Sequence, residues 1–243
     1  MTLFDLSKRR WLFCMTHPDV EISICAWIKR LTANGNEVFI SWTHSTPVRE
    51  AESREVAKHL GVSQENLFFH GATDGRIGGE FKELMPVFQS MIEHVQPDVI
   101  ACGAFEQGHP DHDTTNVLVN SVFAGEVLEI PFYHSYVTRL QTINSFSDPT
   151  GQSVLWLSQE EIQLKRQIAK LFVSQNIWSV LLWFEIWHVL MGRRSHLSVR
   201  EIMRLQCHKV FRIPNHPYGL ATRVEQCETW RTWCDHVLPH LPR

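Results

Sequence analysis

Hydrophobic and polar positions alternate in blocks through the first 140 residues or so, and the blocks have two periods. Short apolar runs occur at "RWLFCMT" (10–16), "NEVFISW" (36–42), "NLFFHG" (66–71) and "PDVIACG" (97–103). Their length and their β-branched and aromatic content predict buried strands. Between them lie segments of helical character: "EISICAWIKRLTANG" ended by Gly35, "VREAESREVAKHLG" ended by Gly61, "FKELMPVFQSMIEHV" with Pro86 inside it, and "HDTTNVLVNSVFAG". A further strand is expected in "EIPFYHSYVT" (129–138). Another, "VLWLS" (154–158), leads into a long helix at whose start Ser158 and Glu161 have capping-box spacing. Strands alternating with helices of roughly 10–15 residues predict βαβ units, hence an α/β fold with an open, mostly parallel twisted sheet and helices on both faces. The chain reads as one domain over 1–243, with a core at about 11–175 and a C-terminal helical or irregular cover over 176–243.

Composition narrows the classes. At 243 residues and 44% hydrophobic, the chain can bury a full core, and a net charge of −3 argues against a broad nucleic-acid footprint. The clusters Lys8-Arg9-Arg10 and Arg193-Arg194 are too short to change that and read as solvated ends. Six cysteines without a CxxC pair suit a reducing compartment, so a cytoplasmic location is expected. "WLFCM" after the first basic cluster is shorter than a signal core, and no signal peptide is expected. "IWSVLLWFEIWHVLM" (177–191) is too short to span a bilayer and contains Glu185 and His188. It reads as an internal helix or a homo-oligomer contact, with core packing the favoured place for Trp178, Trp183 and Trp187 and a membrane-surface role as the remaining alternative.

The candidate chemistry lies in a repeated triplet. His17-Pro18-Asp19 follows the first strand, and His109-Pro110-Asp111 follows the fourth. In the common doubly wound strand orders these two strands lie side by side where the order reverses, and ligands bind beyond their carboxyl ends. Two imidazoles with nearby carboxylates are good ligands for a first-row metal, zinc above all. His109 and His112 are three residues apart and converge as a turn leads into a helix, while proline fixes the backbone behind each triplet. A lone His-Pro pair is ordinary turn chemistry, and His216-Pro217 is read that way. His44, His59, His70 and His94 are expected on surfaces or in loops.

These residues carry a resemblance. "HPDVE" is similar to the HPDDE signature of the LmbE-like (PIG-L) de-N-acetylases, and "EQGHPDHD" to their second motif. The likeness runs in order from about Trp11 to Gln175. It includes Arg49 and Glu52, Leu60-Gly61, Thr73 to Gly75, and Ser174-Gln175. It implies a Rossmann-like α/β fold and a zinc-dependent hydrolase that removes an N-acetyl group from an N-acetylglucosamine-type conjugate or related small amide. By position it implies His17 and His112 as metal ligands, Asp19 as general base, His109 as the histidine assisting the tetrahedral intermediate and leaving amine, and Asp111 as its orienting partner. Arg49 and Asp74 fall where the family contacts substrate.

The chain departs from the pattern at Val20, where the family places its third metal ligand. Three alternatives stand open. Glu21 reaches in from the next position, or two histidines and water hold the zinc, or the site has lost its metal. Trp27 is bulky where the family has glycine, and is expected to reshape the pocket wall. The rival functional reading is a degenerate, non-catalytic binder of a glycan or metabolite in the same crevice. A nucleotide-binding reading is weak, since no Gly-rich phosphate loop follows the first strand. The aromatic C-terminal segment, with Tyr218, Trp230 and Trp233, either covers the site or is a packing tail.

Overall fold

The computed structural model describes residues 8–137, 142–192 and 196–241; the Arg193-Arg194 cluster lies outside them. Strand β1 (Arg10–Met15) is followed by one turn of 3-10 helix and then α1 (Cys25–Ala33). Next come β2 (Glu37–His44), α2 (Pro47–Leu60), β3 (Leu67–Ala72), α3 (Phe81–Val95), β4 (Val99–Gly103) and α4 (Pro110–Val122). Glycine ends α2 as expected, Gly61 taking the left-handed conformation that releases the chain.

Strand β5 is Glu126–Ile130, shorter and earlier than the 129–138 expected from sequence. Pro131 has no N–H to continue the ladder. Beyond it, β6 (Tyr133–His134) pairs only with β7 (Thr142–Ile143) as a separate small ribbon, and residue 138 lies outside the described residues. Then come β8 (Gln152–Trp156), α5 (Gln159–Leu171) with both hydrogen bonds of the Ser158–Glu161 capping box, and α6 (Ile177–Leu190). A short α7 (His196–Val199), β9 (Arg200–Leu205), α8 (Tyr218–Glu225) and α9 (Glu228–Val237) complete the order.

The sheet has seven strands in the order β3-β2-β1-β4-β5-β9-β8. Pairings from β3 through β5 are parallel, whereas β9 runs antiparallel to both β5 and β8. Residues alternate between two cores: Trp11, Phe13 and Met15 face one layer of helices, Leu12 and Cys14 the other. The fold class is therefore as expected. Two differences concern the last quarter. Strand β9 belongs to the main sheet and is not part of an irregular cover. Its pattern is hidden in the sequence because Glu201 occupies a fully buried position, neutralised by Lys165 Nζ at 2.9 Å. Helix α6, in turn, is not internal. Leu181 is its one buried residue, and Trp183 and Trp187 are largely exposed.

Trp230 and Trp233 of α9 stack at 5.1 Å inside the second core, and Trp233 Nε1 donates to Thr114 Oγ1 on α4. These residues pack the tail against α4, and Tyr218 stands out in solvent.

Candidate active site

Strands β1 and β4 are hydrogen-bonded neighbours, with Cys14 opposite Cys102, so the loops leaving both carboxyl ends open into one crevice. His17, Asp19, Val20, Arg49, Asp74, His109, His112, Tyr133 and Ile177 line a cavity of about 310 Å³ there. Six of the eight residues expected from sequence thus line this crevice, and Asp111 stands directly behind the imidazoles. Glu21 does not line it. Trp27 is fully buried in the core and does not line the cavity either.

The first loop turns sharply. Asp19 has φ 115°, a left-handed conformation that costs a non-glycine residue energy and needs external support. Glu21 supplies it. One carboxylate oxygen accepts the Asp19 N–H at 2.8 Å, and the other accepts Trp42 Nε1–H at 3.0 Å and Ser53 Oγ–H at 2.9 Å. The Glu21 carboxylate is wholly enclosed and committed to these three donors. Burial pushes its pKa up to about 7. Behind the loop, Glu201 of β9 accepts the Ala26 and Trp27 N–H groups at 3.0 and 2.8 Å, capping α1 from across the fold.

The second loop enters α4 directly. His109 is the N-cap, its Nδ1 accepting the Asp111 N–H at 3.2 Å, and Pro110 takes the first helical position where no N–H is needed. With Nδ1 an acceptor, the neutral ring bears its hydrogen on Nε2. Asp111 reaches sideways: its carboxylate accepts Gly75 N–H at 2.7 Å and Ile77 N–H at 3.2 Å, tying down the loop that holds Asp74. Its oxygen is 4.0 Å from His109 Nδ1, so the backbone of Asp111, more than its carboxylate, orients that ring. Asp113 accepts the N–H groups of Glu106 and Gln107, closing the turn before His109. Gly108 is required here, because a Cβ would lie 1.6 Å from the Tyr133 carbonyl oxygen.

His17 is the hub. Its Nδ1 lies 3.2 Å from His112 Nε2, although the two residues are 95 apart in sequence. Its Nε2 faces Asp74 Oδ1 at 3.0 Å and Asp111 Oδ2 at 3.4 Å. Two facing ring nitrogens need a proton or a cation between them. Two nitrogens sharing one tetrahedral zinc at about 2.0–2.1 Å would stand about 3.3 Å apart. A ligating imidazole commonly leans its second nitrogen on a carboxylate, as His17 does. The donor atoms of His17, His109 and Asp111 also lie within 4.8 Å of one another. There, however, Asp111 and His109 are already engaged by backbone N–H groups. The His17–His112 pair is the better fit to a metal, and Val20 offers it no third donor.

Electrostatics follow from burial. Desolvation, helped by the neighbouring His17 and His109, drives His112 well below the usual histidine value and keeps it a neutral donor. His109 is lowered for the same first reason. Asp19 is raised by burial to about 6, with Arg49 and His17 pulling the other way. Burial would raise Asp111 too, but His17 at 3.4 Å, the Gly75 N–H and His109 hold it below the ordinary carboxylate value.

Other residues escaped sequence reasoning. His44 is buried at the end of β2, its ring 5.6 Å from His17 and its Nδ1 2.7 Å from the Ala72 carbonyl. His70, expected on a surface or in a loop, packs its ring at a tilt against Phe88 with centroids 5.1 Å apart, and burial lowers it to about 4. The signal for His44 was available, since β2 adjoins β1 in parallel and its last residue must end beside the first triplet. Glu52 accepts both the N–H and the hydroxyl of Ser174, joining two short motifs 122 residues apart. His216 bridges Glu106 O and Ser147 Oγ, a structural role as expected.

Residues 12–123 match the family model for PIG-L, GlcNAc-PI de-N-acetylase. No curated protein matches the chain. Among solved structures, the zinc-inhibited form of a teicoplanin deacetylase is similar at 13% identity and TM-score 0.57, over 82% of this chain and 100% of the other. An N,N'-diacetylchitobiose deacetylase from Pyrococcus horikoshii is similar at 17% and 0.53, over 82% and 84%. A 4-carboxy-2-hydroxymuconate hydratase from Pseudomonas putida is similar at 12% and 0.54, over 83% and 98%. At such identities the likeness is one of fold, and the fold alone hosts more than one reaction.

Proposed function

We propose, from the premise that this chain belongs through residues 12–123 to the LmbE-like (PIG-L) de-N-acetylase family, that it hydrolyses the acetamide of an N-acetylated amino sugar or related small amide. The observation that most supports this reading is the convergence of both triplets on one cavity, with His17 Nδ1 and His112 Nε2 facing each other at 3.2 Å. The fit to a divalent ion, zinc first, rests on that pair. When bound, the ion would polarise the amide carbonyl and lower the pKa of water.

The protein's own groups would do the rest. Asp19, on the cavity wall and raised to about 6, remains mostly ionised near neutrality and takes a proton from the attacking water. His109 donates its Nε2–H as a hydrogen bond to the developing oxyanion, and the proton taken by Asp19 is the one returned to the leaving nitrogen. The C–O bond forms first; the oxyanion then collapses, the C–N bond breaks as the nitrogen takes up its proton, and acetate and a free amine result. Arg49, whose buried Nη1 has no hydrogen-bond partner among the described residues, and Asp74, half exposed beside His17, would meet substrate hydroxyls.

The test is acetate release from N-acetylglucosamine and N,N'-diacetylchitobiose by zinc-supplemented protein, with Asp19→Asn as control. Release that Asp19→Asn abolishes supports the reading. Saturable sugar binding without release by either protein would favour the second reading, a binder in the same crevice, for which Val20 is the specific observation.

A further inference from the structure

Helix α6 is built inside out. At 100° per residue its inward arc holds Trp178, Leu181, Phe184, Glu185 and His188, so its polar groups face the protein. The outward arc, about 180° wide at that spacing, holds Val180, Leu182, Trp183, Ile186, Trp187, Val189 and Leu190, with Ser179 the lone polar side chain. Exposures reach 69% at Trp183, 58% at Trp187 and 75% at Leu190. Two tryptophans of roughly 150–250 Å² each, with five aliphatic side chains, exceed the few hundred Å² of apolar patch usual on a monomer.

Whatever covers this face must be apolar around most of the helix. A second copy packing on this helix alone would touch a single side of it, short of the roughly 800 Å² per partner that a stable dimer buries. A bilayer surface instead wraps the whole outer arc. Charge agrees with that choice. The helix's single acid, Glu185, is held by Arg166 of α5 at 3.5 Å, and the exposed Lys170 of α5 lies 4.8 Å over the Trp178 ring. Arg193 and Arg194 come after α6 in sequence. Tryptophan on an apolar face with a lysine at its edge suits the headgroup region of anionic lipid.

We infer that α6 docks this protein on an anionic lipid surface, lying in the interface without crossing it. At 14 residues it is too short to span, and among the described residues no helix is long and apolar enough to do so. Ile177, its first residue, lines the catalytic cavity, so docking sets that mouth beside the lipid. Docking of this kind depends on the surface of α6 and not on the reaction.

Flotation of the full chain with vesicles of phosphatidylcholine alone, and mixed with phosphatidylglycerol, tests it. The protein is expected to float with the anionic vesicles, and brominated lipid is expected to quench its tryptophan fluorescence. Trp183→Ser/Trp187→Ser should cut the bound fraction at least tenfold with the melting temperature unchanged, and Lys170→Gln should cut it severalfold. Failure to float with either vesicle would overturn the inference. So would a wild-type dimer by light scattering that the double variant dissolves, which would assign the face to a second copy.

Discussion

The two His-Pro-Asp turns hold the same three residues and are put to different uses. In the first, histidine points into the crevice and aspartate bends the backbone into the left-handed region, while Glu21 grips the loop from behind. In the second, histidine caps a helix and aspartate reaches away to clamp the Gly75–Ile77 loop. The residues after each triplet explain the difference. Four residues of 3-10 helix separate the first from α1, whereas α4 starts at the proline of the second. A triplet in a sequence therefore fixes residue types, and the helix register behind it fixes which side chain faces the site.

The largest effect that would sharpen this contrast is expected from Asp19→Asn, which removes the base from the first turn and leaves the second intact. Hydrolysis should fall by about 10²–10⁴, with stability little changed, checked by initial rates alongside thermal melts. Asp111→Ala, the equivalent position of the second turn, should act on the fold as well. Two N–H groups, that of Ile77 buried and that of Gly75 partly so, lose a charged acceptor, the buried bond worth about 1.5–3 kcal/mol and the other less, and denaturant unfolding should register the loss. If the two aspartates gave the same pattern, the distinction between the turns would fail.

Glu21→Gln should cost about 1–3 kcal/mol, because in either orientation the new amide sets its NH2 against the Asp19 N–H or the Trp42 Nε1–H. A retained or improved zinc affinity in that variant would agree with a supporting role, and loss of zinc with an intact fold would make Glu21 a ligand after all.

The smallest effect concerns Glu106, on the wall behind the second turn. Burial, then the nearby Glu129, raise its carboxyl well above the usual value against the pull of Arg204. The folded state thus keeps a proton that the unfolded chain releases above about pH 4.3. Its contribution to stability is full below that value and declines as pH rises toward the folded pKa, by up to about 1.4 kcal/mol per pH unit. Glu106→Gln should therefore raise the melting temperature more at pH 8 than at pH 5. A larger gain at pH 5 would reverse the sign and refute the assignment.

Much of this was legible in sequence because the period-2 and helical blocks are clean from β1 to α4, and the adjacency of β1 and β4 follows from the usual winding. Strand β9 was not, since a buried Lys165–Glu201 pair places charge where the pattern demands an apolar residue. The orientation of α6 was hidden for the opposite reason: a helix apolar nearly all round gives periodicity no face to choose. Glu21 was ambiguous because a carboxylate beside a metal motif reads as a ligand until Trp42 and Ser53 are found on it. His44, by contrast, was within reach of the sequence, since the parallel pairing of β2 with β1 puts its last residue beside the first triplet.

The most direct test of the central claim, that His17 and His112 form a metal pair facing position 20, is a zinc titration of wild type, Val20→Asp and His112→Ala by calorimetry. The account predicts that Val20→Asp tightens zinc by more than the roughly 10–100-fold worth of an outer-shell partner, and that His112→Ala abolishes binding. Equal affinity in wild type and Val20→Asp, or full binding without His112, would contradict it.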